Sequence, residues 1–211
     1  MKKLLKDFCS AFLAGIAVGV GGIVFLSVEN KVMGSVLFAV GLLTILAFKL
    51  NLFTGKAPYI CQNNIKYSGF VGIVWLGNFT GAASTAGLIR LTNVYDKIID
   101  KCLTITEAKL SGSLLSLFIL GIFCGILMYI AVDTYNKQGQ YKNFSATILT
   151  IFCISTFILA GFEHSIADMF YFMLALPIKV WILPLVVITA GNLVGGNIFC
   201  LLSNKVLKET Q

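Results

Sequence analysis

Charge is scarce in this 211-residue chain: Asp, Glu, Lys and Arg make up 12% of it, against 58% hydrophobic residues, and the mean hydropathy is +0.91. A water-soluble domain carries about a quarter of its residues as charges, so an ordinary soluble fold is excluded. Disorder is excluded as well, because it requires low hydrophobicity. Acids are the scarcer sign, 9 Asp and Glu against 16 Lys and Arg, for a net charge of +7. In a soluble protein that surplus points to nucleic acid, but here the basic residues sit between apolar runs and read as loop charges that orient a membrane protein; no nucleic-acid partner is expected. Histidine occurs once, as His164, and H-E-x-x-H and C-x-x-C are absent, so no zinc site, bis-histidine haem or other cofactor is expected. The six cysteines, Cys9, Cys61, Cys102, Cys124, Cys153 and Cys200, stand singly and read as small apolar packing residues.

What is present is apolar length. A helix needs about 20 apolar residues to cross a bilayer, and six segments qualify, at about 8–28, 32–50, 68–89, 111–132, 145–167 and 171–203. The first lacks a small-x-small cleavage pattern at Ser27, Val28, Glu29 and Asn30 and reads as a first membrane helix, not a removed leader. With the N-terminus cytoplasmic, Lys2, Lys3, Lys6, Lys56, Lys66, Lys137, Lys142, Lys205 and Lys208 fall inside. Lys31, Arg90, Lys97, Lys101, Lys109 and Lys179 fall outside. The bias places both termini in the cytoplasm.

Two of the apolar stretches are interrupted at membrane depth. One break runs from Lys49 to Pro58, and the other, Gly161-Phe162-Glu163-His164-Ser165-Ile166-Ala167-Asp168-Met169, gathers Glu, His and Asp within six positions. Backbone without helical hydrogen bonds is tolerated in a membrane only where protein or a water-filled cavity satisfies it, so both point to a cavity or pore. Each is followed by a G-N-x-x-G pattern, Gly77-Asn78-Phe79-Thr80-Gly81 and Gly191-Asn192-Leu193-Val194-Gly195. Singly, such glycines signal close helix packing. Paired behind paired breaks, they predict two three-helix repeats, about 8–90 and 111–203, in one domain over 1–211. An odd number of helices per repeat makes the second enter the membrane from the opposite side, with a site at the midplane.

An ionisable group in a bilayer is costly and faces a polar pathway, so His164 reads as pore-lining. Its unperturbed pKa near 6.5 suits proton exchange with a passing ligand. An intramembrane enzyme would need a nucleophile with a base, paired acids or a metal cluster. Glu163 and His164 are adjacent, and neighbours on a helix point in different directions. The chain is therefore not expected to be an enzyme. A membrane sensor or scaffold would need an output domain, and both terminal segments are short.

The motif Gly161-Phe162-Glu163-His164-Ser165-Ile166-Ala167-Asp168-Met169-Phe170 resembles the fifth-helix G-F-E-H-S-x-A-N-M-F of the formate/nitrite transporter family. Leu52-Phe53-Thr54-Gly55 is similar to its second-helix E-L-F-T-G, and Gly191-Asn192-Leu193-Val194-Gly195-Gly196 to its sixth-helix G-N-x-x-G-G. The resemblance implies an all-α, aquaporin-like protomer of six transmembrane helices in an inverted 3+3 repeat, with helices two and five broken. It also implies a homopentamer in the bacterial inner membrane, in contact with lipid, each protomer passing small monovalent anions such as hydrosulfide, formate or nitrite. The hydrosulfide-passing branch of the family is the one the chain looks most like. On the same resemblance, His164 is the central pore histidine, Thr54 its partner, Asn192 and Glu163 order the break, and Lys109 draws anions to the vestibule. Phe38, Leu42, Leu52 and Phe157 form the apolar constrictions. The chain departs from the pattern at Asn51, where an acid is expected, and at Asp168, where asparagine is expected. If Asn51 or Lys49 faces the vestibule, the potential for anions rises there, while Asp168 acts the other way.

Overall fold

The computed structural model describes residues 1–137 and 144–209, with side chains as far as 207. Lys142 and the side chain of Lys208, two of the basic residues assigned to the inside, lie outside the described residues. Among those described, every element is helical: α1 (Lys2–Ser27), α2 (Lys31–Ala47), α3 (Phe53–Lys56), a 3₁₀ segment (Ala57–Gln62), α4 (Ile65–Ile89), α5 (Val94–Leu110), α6 (Leu114–Lys137), α7 (Phe144–Ala160), α8 (Ser165–Ala175) and α9 (Ile178–Glu209). Apolar sequence in a dry medium leaves the helix as the way to satisfy each peptide group within its own segment. Three helices, Lys2–Ser27, Leu114–Lys137 and Ile178–Leu207, are long and apolar enough to cross a membrane. The pair α7 and α8 qualifies together, bent by 49° at its break. The apolar α2 is shorter, at 17 residues, and α4 has 25 residues but carries Asn78, Thr80, Ser84 and Thr85.

Two boundaries differ from the sequence reading. Residues 90–110, read as a connection, hold the 17-residue helix α5. Its buried Ile98, Cys102 and Thr106 fall four apart, which makes one narrow stripe on an otherwise charged helix. The segments read as 145–167 and 171–203 are cut elsewhere: α7 stops at Ala160, α8 runs from Ser165 to Ala175, and Pro177 precedes α9.

The frame consists of two tight crossings, α1 on α4 and α6 on α9. A Cβ added to Gly81 would lie 2.1 Å from the Phe12 carbonyl oxygen, and one added to Gly195 2.0 Å from that of Ile122. Backbones meet there because no side chain intervenes. Basic side chains close two helix C-termini, where carbonyls are left unpaired and the helix dipole is negative. Lys101 Nζ donates to Phe25 O and Val28 O beyond α1, and Arg90 donates to Met173 O and Leu174 O of α8.

Candidate functional site

Both breaks are built to one backbone plan. Each helix before them ends on a left-handed residue, Lys49 with φ 55° and Gly161 with φ 75°. The next amide reaches back five residues, Leu50 N to Ile45 O and Phe162 N to Phe157 O, both at 2.9 Å. One asparagine then holds each broken strand of backbone. Asn78 Oδ1 accepts from Phe53 N at 2.8 Å while its amide donates to Asn51 O and Ala11 O. Asn192 Oδ1 accepts from Ser165 N at 2.9 Å while its amide donates to Glu163 O and Gly121 O. Leu52 in the first half thus stands where His164 stands in the second, and Lys56 where Asp168 stands. Asn78 was visible in sequence only as the asparagine of the first G-N-x-x-G.

His164 is 3% exposed and caps α8. Its Nδ1 accepts from Ala167 N at 3.1 Å, and its Nε2 lies 3.0 Å from Thr54 Oγ1. A backbone N–H can only donate, so Nδ1 is the unprotonated nitrogen of a neutral ring and Nε2 carries the hydrogen. Its ring stacks on Phe157, centroids 5.4 Å apart, and Phe157 meets Phe38 edge to face at 6.1 Å.

Glu163 and His164 lie in the break, not on a helix, and their side chains part: His164 goes to Thr54 and Glu163 to Lys109. Lys109 Nζ bonds Glu163 Oε2 and, at 3.1 Å, Asp168 Oδ1. Lys109 sits on α5, outside the spanning helices. Burial works against its charge, but Asp168 and Glu163 outweigh that cost and hold the ammonium above the ordinary lysine range. One cation thus faces two buried carboxyl groups.

Two cavities flank the breaks. The first, about 630 Å³, is lined by Lys109, Glu163, His164, Asp168, Phe38 and Phe157 among others, with Lys31 and Lys101 also on its wall. The second, about 770 Å³, is lined by Leu52, Lys49, Lys56, Val132, Tyr135 and others. On α6 the first touches Leu117 and Leu120 and the second Val132 and Tyr135, roughly 18 Å apart along the axis at 1.5 Å per residue. Thr54, Leu42 and Asn192 are buried and border neither of these two cavities. The amide of Asn192 is engaged with two carbonyls and so is taken up in holding the break. Lys49 does face the second cavity, whereas the Asn51 side chain turns to α1, its Nδ2 3.5 Å from Asp7 O. Among the described residues no group of His, Cys, Asp and Glu is arranged to hold a metal ion.

A family model described as formate/nitrite transporter matches residues 1–205. A formate-nitrite transporter of Plasmodium knowlesi is 28% identical over 184 residues, covering 75% of this chain and 57% of that protein. The nitrite transporter NirC of Escherichia coli is 28% identical over 192 residues, 81% of this chain and 69% of its own length. A solved structure described as a pentameric formate channel with formate bound superposes with a TM-score of 0.81 at 21% identity, covering 98% of both chains. The fold is therefore shared with that channel. The chain spans little more than half the length of the Plasmodium relative.

Proposed function

The chain belongs to the formate/nitrite transporter family, and from that premise we propose that it is a membrane channel for small monovalent anions, formate and nitrite among them and hydrosulfide included. The observation that carries this reading is the pair of cavities set apart along α6, with the buried contact of Thr54 with His164 and the Phe157 ring stacked on that histidine. In this reading the protomer is aquaporin-like and has six spans, with α2 and α4 among them. Its halves are inverted, both termini are cytoplasmic, and the protein is a pentamer in the bacterial inner membrane. The reading also has no enzymatic activity in it, which relatives named as transporters and channels support.

The mechanism follows from what each side chain can offer. Lysines at the two mouths, Lys31 and Lys101 on one side and Lys49 with Lys56 on the other, concentrate anions through a field that salt weakens, while Lys109 offsets the Glu163 and Asp168 carboxyl groups that would repel them. Phe38, Phe157, Leu42 and Leu52 strip water, and a bare anion among them is expensive. The Nε2–H of neutral His164 and the Thr54 hydroxyl are the donors placed to repay part of that cost. A full proton transfer from His164 requires the imidazolium, whose Nδ1–H would confront the Ala167 N–H now bonded there. Hydrogen-bond donation is therefore the cheaper of the two services, and proton-coupled transport is the second reading.

Flux of formate, nitrite and hydrosulfide into protein-containing liposomes tests this. Uptake of at least one anion is expected, and His164→Phe, which keeps a ring but has no donor, is expected to slow it by tenfold or more, since a desolvated anion loses a donor worth about 1.5–3 kcal/mol. Absence of flux for all three anions sinks the channel reading. An unchanged rate and pH profile in His164→Phe removes the histidine from the pathway.

A further inference from the structure

The acid pair beside Lys109 is not explained by anion passage alone. Glu163 and Asp168 are 2% and 1% exposed, and both bond the same ammonium. Meeting one ammonium brings the two carboxyl groups side by side. Asp168 Oδ2 is fully buried and has no donor facing it. With both acids ionised, the floor of the first cavity would hold two negative charges against one positive, next to the histidine that an entering anion must reach. Like charges that close do not both stay ionised without a second cation. Lys31 is exposed, and the ammonium of Lys101 is tied to Phe25 O and Val28 O, so neither supplies that cation.

We propose that Glu163 and Asp168 hold one proton between them, forming a proton-binding site that keeps the floor of this cavity neutral and admits anions, and that loss of the proton makes the floor net negative and excludes them. The proton enters from solvent through the cavity and leaves by the same route. Carried this way, it makes the entry step more permissive as pH falls, independently of any proton that travels with the substrate.

The other groups around Asp168 do not replace this site. Tyr171 on its own helix lines the same cavity and Cys124 on α6 is buried; an ordinary phenol or thiol is neutral at physiological pH. Cys102 of α5 donates to Tyr171 O. His164 accepts from Ala167 N, so a positive ring there breaks its cap. Arg90, just past α4, is spent on Met173 O and Leu174 O at the far end of α8. The first-half break puts Lys56 in the register of Asp168, so no equivalent acid faces the second cavity from that position.

This inference rests on the channel reading for its consequence and on the acid pair alone for its site, and the test separates the two. Difference infrared spectra of the purified wild type, titrated between about pH 5 and about pH 9, are expected to show the carbonyl stretch of a protonated carboxylic acid. Asp168→Asn and Glu163→Gln are each expected to abolish that titrating band. In liposomes, formate uptake by the wild type is expected to fall across the same range at least about tenfold more than uptake by either variant, since one unit charge at this distance changes local anion concentration by that order. No titrating band, or a band that survives both substitutions, overturns the site. A lost band with identical flux profiles overturns its role in admission. A wild type that passes no anion refutes the channel reading and leaves the infrared result standing on its own.

Discussion

Lys49 and Gly161 make the same left-handed turn with different side chains. For a residue with a Cβ that conformation costs roughly 1–2 kcal/mol, and glycine adopts it without that penalty. Lys49→Gly is therefore expected to stabilise the protein by about 1 kcal/mol, seen as a raised apparent melting temperature of the detergent-solubilised protein. A lowered melting temperature would show that Lys49 makes a contact worth more than its strain. The same substitution removes a cation from the wall of the second cavity, so persistence of lysine in a strained position fits a charge wanted at that mouth. At this scale the sequence was informative about His164, because a single histidine at membrane depth has few reasons to be there. It was silent about which nitrogen carries the hydrogen, since that depends on the Ala167 amide, and about Asp168, whose meaning depends on a lysine 59 positions earlier reaching it.

The breaks were legible because polar residues interrupt apolar runs, and their pairing because each is followed by G-N-x-x-G. What the asparagines do was not legible. Each donates twice and accepts once from backbone exposed by a break, and such an accounting needs the fold. Asn192→Ala strands several buried backbone groups and is expected to cost about 2–3 kcal/mol. Asn192→Asp is expected to be no better, because a carboxylate accepts but cannot donate to Gly121 O and Glu163 O. Thermal melts of both variants check this, and an Asn192→Asp melt near the wild type would show that the two donated bonds contribute little. Helix α5 escaped the sequence reading for a related reason. Its apolar stripe is one residue wide, and charges on its other faces gave it the look of a connection, yet it carries Lys109 into the site.

The molecule as a whole leaves a broad apolar exterior: Leu13, Val20, Leu37, Leu76, Phe123, Phe152, Leu183 and Ile198 are all exposed. In the proposed reading, lipid tails and neighbouring protomers cover this surface. Native mass spectrometry in mild detergent is expected to give five copies of the 22.9 kDa chain, and a stable monomer would remove the pentamer from the reading. The overall division into helices and breaks followed from hydropathy and a few polar residues, and the breaks pointed to a cavity or pore; the size and lining of the two voids did not follow, because a void is a property of how helices pack. One consequence concerns gating. Each break hangs on an asparagine from a helix, α4 or α9, and those helices cross α1 and α6 at points where a single added methyl would collide with backbone. The backbone on either side of His164 is thus tied through Asn192 to α9, and moving it strains the crossing of α9 with α6. In the proposed channel, a switch that leaves those crossings intact acts on side chains within the frame or at the open ends of the two cavities.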